Sequence, residues 1–185
     1  MRGFRRAVLV LLVVAGGLFA LVALTSKTYR VPSSAMEPTL HCPRPAAGCL
    51  ADTADRIAVS RVLYKLRDPH RGDLAAFDTP ARAEMLCGAA GVYVKRIVGL
   101  PGEMWRVQNG VVFIDGKRLS EPYVKPARRD RESFPPRAIP KDRYLMLGDN
   151  RASSCDSRRF GYVARADLIG PVVVTYWPVE RISIR

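Results

Sequence analysis

The sequence predicts a mostly-β domain carried on one N-terminal transmembrane helix. Three features carry that expectation: an uncharged apolar run at Ala7–Leu24, two hairpin-type turns close together, and short β-rich segments punctuated by Gly and Pro. The run of 18 residues is about 27 Å long as a helix, close to the hydrocarbon thickness of a bilayer. Arg2, Arg5 and Arg6 precede it, so the positive-inside rule leaves residues 1–6 in the cytoplasm and places 25–185 outside, in a single-pass protein of the cell membrane. A cleaved signal peptide would have a shorter apolar core, about 7–15 residues, and a small-residue cleavage site directly after it. Beyond the anchor, about 160 residues suffice for one domain with its own core.

In chain order, Arg56–Ser60 reads as a strand, Val62–Leu66 as either a strand or a helical turn, Asp68–Gly72 as a turn and Asp73–Asp78 as a strand. Thr79–Gly91 reads as a loop. Val92–Val98 is strongly β and stops at Leu100-Pro101-Gly102. Asn109-Gly110 and Asp115-Gly116, flanked by Trp105, Val107, Val111 and Phe113, predict two tight hairpins. Lys125–Pro140 is charged and Pro-rich without apolar periodicity, and is expected to be a mobile excursion. Tyr144–Leu147 reads as a strand, Arg165–Ile169 as a helical turn, and Val172–Trp177 as a strand with a last one beyond Pro178.

The net charge is +13, from 30 basic and 17 acidic residues. For a domain tethered outside a membrane, anionic lipid headgroups are the nearest partner for such a surface. The charge is dispersed, no nucleic-acid-binding motif accompanies it, and nucleic acid is not expected as a partner. Four cysteines, Cys42, Cys49, Cys87 and Cys155, allow three full pairings. Cys42 and Cys49 bracket a short loop and are the expected pair, as a staple. No C-x-x-C spacing exists, and His41 and His70 offer no ligand pairing, so neither a metal nor another cofactor is expected. Trp105 and Trp177 each fit either a membrane interface or a core.

Val31–Leu40, VPSSAMEPTL, follows the apolar run. Pro32 and Pro38 fix φ at both ends and push Val31 and Glu37 towards extended geometry. On its own this is an ordinary Pro-bounded linker, or a rigid small-residue edge that a peptide approaches closely. Lys95 lies inside an apolar strand, where period two puts Tyr93, Lys95 and Ile97 on one face and Val94, Arg96 and Val98 on the other. A solvated edge lysine would need no further account. A buried one would lose its charge more readily, and a neutral lysine can act as general base towards a serine hydroxyl.

PSSAMEPTL, RGDLAAF, YVKRIVGLPGE and GDNRASSCDSRRFG, in that order, resemble the ordered boxes of the type I signal peptidases (leader peptidases), membrane-bound serine–lysine proteases that remove signal peptides from exported preproteins. The first box of that family has the form P-S-x-S-M-x-P-T-L, the lysine box Y-x-K-R-x-x-G-L-P-G-[DE], and the last box G-D-N-R-x-x-S-x-D-S-R-x-x-G. The resemblance implies a coiled β-sheet domain on the anchor and roles for single residues. Lys95 is the general base and later the acid for the leaving amine. Ser33 helps to form the oxyanion hole, Ser154 orients the Lys95 ammonium, and Asp156 and Arg158 form a supporting ion pair. Asp149 and Asn150 are expected to shape a turn, and Cys155 to be structural or a bystander. The implied partner is a preprotein signal peptide, added as a strand and cut after small residues in an A-x-A pattern. A monomer is expected.

The sequence departs from the family pattern at one position. Directly before the methionine, where the family has its nucleophilic serine, stands Ala35. In an extended segment Ser34 should face away from Lys95, and Ser33 should lie on the correct side but about 6–7 Å from the required place. The expectation is an active family member whose nucleophile has been replaced, inactive but still able to bind substrate. The alternative is a naturally non-catalytic, membrane-tethered protein that binds signal peptides.

Overall fold

The computed structural model describes Gly17, residues 24–88 and residues 90–185 of the chain. The expected anchor therefore falls, but for Gly17 and Leu24, outside the described residues; among those described, no helix is long and apolar enough to cross a membrane.

Among the described residues, twelve strands make two sheets. β1 (Ser26–Arg30), β2 (Arg56–Ser60), β3 (Leu74–Asp78), β4 (Val92–Gly99), β9 (Arg143–Leu147), β10 (Val163–Ala164), β11 (Leu168–Trp177) and β12 (Ser183–Ile184) form the larger, in the order β1-β2-β11-β3-β4-β9-β10 with β12 on β11. β5 (Met104–Gln108), β6 (Val111–Ile114), β7 (Lys117–Arg118) and β8 (Phe134–Ala138) form the smaller, in the order β7-β6-β5-β8. Every pairing between strands is antiparallel.

The turn chemistry acts as the residues dictate. Asn109-Gly110 joins β5 to β6 and Asp115-Gly116 joins β6 to β7, and all four residues have positive φ, as a type I′ hairpin turn requires. β11 is the hub of the larger sheet, pairing with β2 on one side and β3 on the other. Gly170 permits that: a Cβ there would stand 1.7 Å from the Ser60 carbonyl oxygen.

Several expectations need correction. Residues 79–91 contain a helix, α2 (Ala81–Cys87), capped by left-handed Gly88. The segment at 62–66, expected as a strand or a helical turn, takes the helical form as α1 (Leu63–Leu66). Residues 125–140, expected to be a mobile excursion, carry β8, hydrogen-bonded to β5. Pro135 and Pro136 cannot donate to a ladder, which is why this strand is found on the edge and hid its pattern from a periodicity reading. Of the expected turn at Arg165–Ile169 only Arg165–Asp167 is helical, and β11 begins at Leu168. Val31–Ala35, expected to run extended throughout, ends in a 3₁₀ turn at Ser34–Met36.

The core has three parts. One lies under β2 and the 31–40 segment, around Met36, Leu40, Ile57 and Val59. A second packs Phe77, Ile97, Met146 and Phe160 beneath a last short helix, α3 (Ser157–Phe160). The third joins the two sheets through Trp105, Val112, Ile139 and Leu145. Trp105 is thus a core residue, its indole N–H donating to Tyr162 Oη at 2.9 Å, whereas Trp177 is 43% exposed at the end of β11.

Candidate active site

The segment 31–40 enters the domain as its residues dictate. Ser33 is extended (φ −132°, ψ 157°), Ser34–Met36 make one 3₁₀ turn, and Glu37 before Pro38 returns to extended geometry (φ −61°, ψ 140°). Met36 and Leu40 bury their side chains and fix the depth of the turn. Its carbonyls are held from the loop after β9: Asn150 N–H donates to Ala35 O at 3.1 Å and Asn150 Nδ2 to Ser34 O at 2.9 Å. Thr39 Oγ1 donates to Asp149 Oδ2 at 2.5 Å.

Glu37 is fully buried. Its carboxylate accepts from the Cys42 and Leu50 N–H groups, each at 3.1 Å, and lies 2.6 Å from His41 Nδ1. This carboxylate and the Cys42–Cys49 disulfide together set the loop that follows. The expected staple is present, and the remaining cysteines form a second disulfide, Cys87–Cys155.

The turn forms one side of a cleft of about 380 Å³, and β4 residues including Tyr93 and Lys95 form the other. Ser33 and Ala35 line it together with Lys95, Ser153 and the Cys87–Cys155 bridge. Ser34 does not: its side chain is buried against Gly48, so close that a Cβ on that glycine would stand 2.9 Å from Ser34 Oγ. Through the 3₁₀ turn, Ser33 and Ala35 share one cleft with Lys95 while Ser34 lies outside it.

Lys95 is 4% exposed, opposite Ala75 in the β3–β4 ladder. Its Nζ sits 5.4 Å from the Tyr93 ring centroid. Burial lowers its pKa from 10.5 to about 8; Asp156 and Asp149 pull it back up, and Arg158 pushes it down. The solvated edge lysine is thereby set aside.

The last box supplies the floor. Ser154 is buried, and among the described residues its Oγ has no hydrogen-bond partner. Gly148 lets that hydroxyl approach the turn: a Cβ at 148 would be 2.2 Å from Ser154 Oγ and 2.5 Å from Ala35 O. Asp156 is fully buried and caps α3, accepting from Arg158 N–H. It also accepts from Arg158 Nε at 2.8 Å, Arg158 Nη2 at 2.9 Å and Gly148 N–H at 3.1 Å. Burial raises its pKa, but the Arg158 hydrogen bonds and charge, the Gly148 N–H and the Lys95 charge outweigh this and hold the carboxyl below its usual range. Arg158 also pairs with Asp130 and donates to Arg151 O at 2.9 Å. The Asp156–Arg158 pair is therefore buried, where an uncompensated partner would be costly.

Sequence reasoning assigned Asp149 and Asn150 to a turn and gave Arg96 no role. In the fold Arg96 grips Asp149 with a fork, Nε to Oδ1 at 2.8 Å and Nη2 to Oδ2 at 2.5 Å, and its Nη1 donates to Gly72 O at 2.8 Å. Its guanidinium also stacks over Tyr123, 3.9 Å from the ring centroid. The signal was present in the strand: a charged residue on an apolar face of β4 needs a buried partner.

Among the described residues, the one group with metal-ligand proximity is Glu37 with Cys42 and Cys49, and both sulfurs are consumed in a disulfide. A buried lysine of lowered pKa, in an open cleft that Ser33 and Ala35 also line, suits proton transfer and the close approach of an extended peptide.

A family model described as "Signal peptidase, peptidase S26" matches residues 2–177. The chain is similar to a "Probable signal peptidase I-2" of Synechocystis sp., 39% identical over 154 residues, covering 83% of this chain and 64% of that protein. It is also similar to a "Signal peptidase I" of Leptolyngbya laminosa, 36% identical over 173 residues, covering 90% of this chain and 79% of the relative. A crystal structure of a signal peptidase I from Enterococcus faecalis V583 superposes with a TM-score of 0.48 at 30% identity, covering 57% of this chain and 97% of that one.

Proposed function

We propose, since the chain belongs to the signal peptidase family, peptidase S26, that its cleft receives the C-terminal region of a signal peptide and that the chain as it stands binds without cutting. The observation that carries this reading is Lys95, buried with a pKa of about 8, in the same cleft as Ser33 and the side chain of Ala35.

With a serine at position 35, the sequence of steps follows from those groups. Neutral Lys95 takes the hydroxyl proton as oxygen attacks the scissile carbonyl; Ser33 Oγ–H and the N–H of residue 35 receive the oxyanion. Lys95 then gives its proton to the departing amine, and a water molecule, deprotonated by the same lysine, releases the acyl group. Ser154 orients the ammonium through its hydroxyl, which has no hydrogen-bond partner among the described residues. Asp156 and Arg158 fix the loop that carries it. Ala35 has no hydroxyl, so the first step has no nucleophile while the cleft itself is retained. Anchoring by residues 7–24 would hold the cleft outside the cell membrane, facing exported preproteins as a monomer, with the basic surface towards anionic headgroups.

The test compares the detergent-solubilised chain with Ala35→Ser on a preprotein carrying an A-x-A signal peptide. Loss of the nucleophile in a serine protease can remove about 10⁶-fold in turnover, so the expected contrast is close to all or none. Cleavage by neither form would favour a protein that only binds. Cleavage by both would place the nucleophile at Ser33 or Ser34 and refute the assignment of position 35.

A further inference from the structure

The Cys87–Cys155 bridge is used by none of the steps above, yet both of its residues line the cleft. Cys155 stands between Ser154 and Asp156, in the floor; Cys87 is the last residue of α2, in the wall formed by the β3–β4 connection. The two ends are held very differently. The floor is fixed by the Asp156–Arg158 pair, by Gly148 N–H on Asp156 and by Asn150 on the turn. α2 has seven residues and buries one of them, Ala83, while Met85 is 78% and Leu86 53% exposed. A helix of two turns is not stable by itself in water, and one buried alanine is a weak attachment. The covalent link therefore adds to the limited hold that Ala83 and the neighbouring α3 supply beside the cleft.

We propose that the Cys87–Cys155 disulfide is a positioning element of the peptide cleft: it holds α2 as a wall against the Ser154–Asp156 floor, so that full affinity for the peptide exists only in the oxidised protein. This deepens, and rests on, the reading of the cleft as a signal-peptide site. Both cysteines are half-buried and face the cleft, within reach of a small reductant. A dithiol opens the bridge by exchange: the Cys87–Cys155 S–S bond breaks, two thiols form, and the reductant gives up two electrons and two protons as it closes to its own disulfide. Freed, α2 samples positions away from the cleft. If it occupies its bound place a tenth of the time, apparent affinity falls about tenfold, while Lys95 and the floor keep their geometry.

The experiment uses the full chain in detergent, in a Cys42→Ser/Cys49→Ser background so that reduction reports on one bridge. A labelled peptide with an A-x-A C-region is titrated against the Ala35 protein before and after dithiothreitol, and KM and kcat are measured for the Ala35→Ser version. If that background does not accumulate, the unaltered chain is used and mass spectrometry maps which bridge has opened. About tenfold weaker peptide binding and a matching rise in KM are expected, with kcat and its pH profile unchanged and full recovery on reoxidation. Cys87→Ser/Cys155→Ser should behave as the reduced form and ignore the reductant. Equal affinity in the two redox states overturns the proposal. So does loss of the circular dichroism signal on reduction, which would make the bridge a prop for the fold alone, or absence of peptide binding in both states. Redox-dependent binding with no cleavage by the Ala35→Ser form would leave this inference standing and remove the catalytic reading instead.

Discussion

Lys95→Met isolates what one buried ammonium does to this fold. Methionine keeps the length and apolar stem of the side chain and removes its charge. The folded-state pKa is about 8 against an ordinary 10.5, with burial as the leading cause. At about 1.4 kcal/mol per pH unit, that gap withholds about 3 kcal/mol of stability while the ammonium must be carried into the core. The sign follows from proton counting. Between about pH 8 and 10.5 the unfolded chain holds the proton and the folded one does not, so stability of the parent rises with pH through that window. Below it the whole penalty applies, and above it none does. Lys95→Met should therefore be more stable than the parent by about 3 kcal/mol at pH 7, or about 6–12 °C in Tm for a domain of this size. The advantage should decline from pH 8 and vanish near pH 10.5. Urea unfolding of both proteins from pH 6 to 11 measures it. A gain independent of pH, or a variant less stable than the parent at pH 7, would refute the reasoning. The same pKa governs the Ala35→Ser enzyme. About a tenth of Lys95 is neutral at pH 7, against about one part in three thousand for a free lysine, so cleavage should rise with pH to a plateau above about 8.

Arg96→Leu leaves Asp149 buried without its fork and should destabilise the domain by about 3–5 kcal/mol in urea unfolding. Adding Asp149→Leu should recover much of the loss, and a double variant worse than the sum of the singles would refute the pairing. Glu37→Ala removes the acceptor shared by the Cys42 and Leu50 N–H groups and should cost about 1–3 kcal/mol for the Cys42 N–H left buried, with the part-buried Leu50 N–H free to turn to solvent. Limited proteolysis should then cut between residues 42 and 50, whereas Glu37→Gln, which keeps one carbonyl oxygen, should resist.

The hairpins and the central strands were legible because their signals are local. Asn109-Gly110 and Asp115-Gly116 state their own φ requirement, and Val92–Val98 is rich enough in β-branched and apolar residues to read as a strand. The site was legible through its ordered boxes and through the lysine inside that strand. β8 was hidden because Pro135 and Pro136 erase both alternation and ladder donors, and its pairing with β5 exists only in three dimensions. α2 was hidden because its attachment is a disulfide to a residue 68 positions away, which no local pattern reports. The Arg96–Asp149–Thr39 cluster spans three segments, so Asp149 alone read as a turn former and the other two carried no signal of their own.

That cluster bears on how the chain can be recombined with its relatives. Thr39 comes from the segment after the turn, Arg96 from β4 and Asp149 from the loop after β9, and Asn150 beside it clasps the turn that bears Ala35. A chimera that imports one of these stretches with a different spacing would inherit half of a clasp. Grafts should succeed when all three travel together, however diverged the intervening sequence, and the hairpin sheet, which contributes no side chain to the clasp, should be the part most freely exchanged.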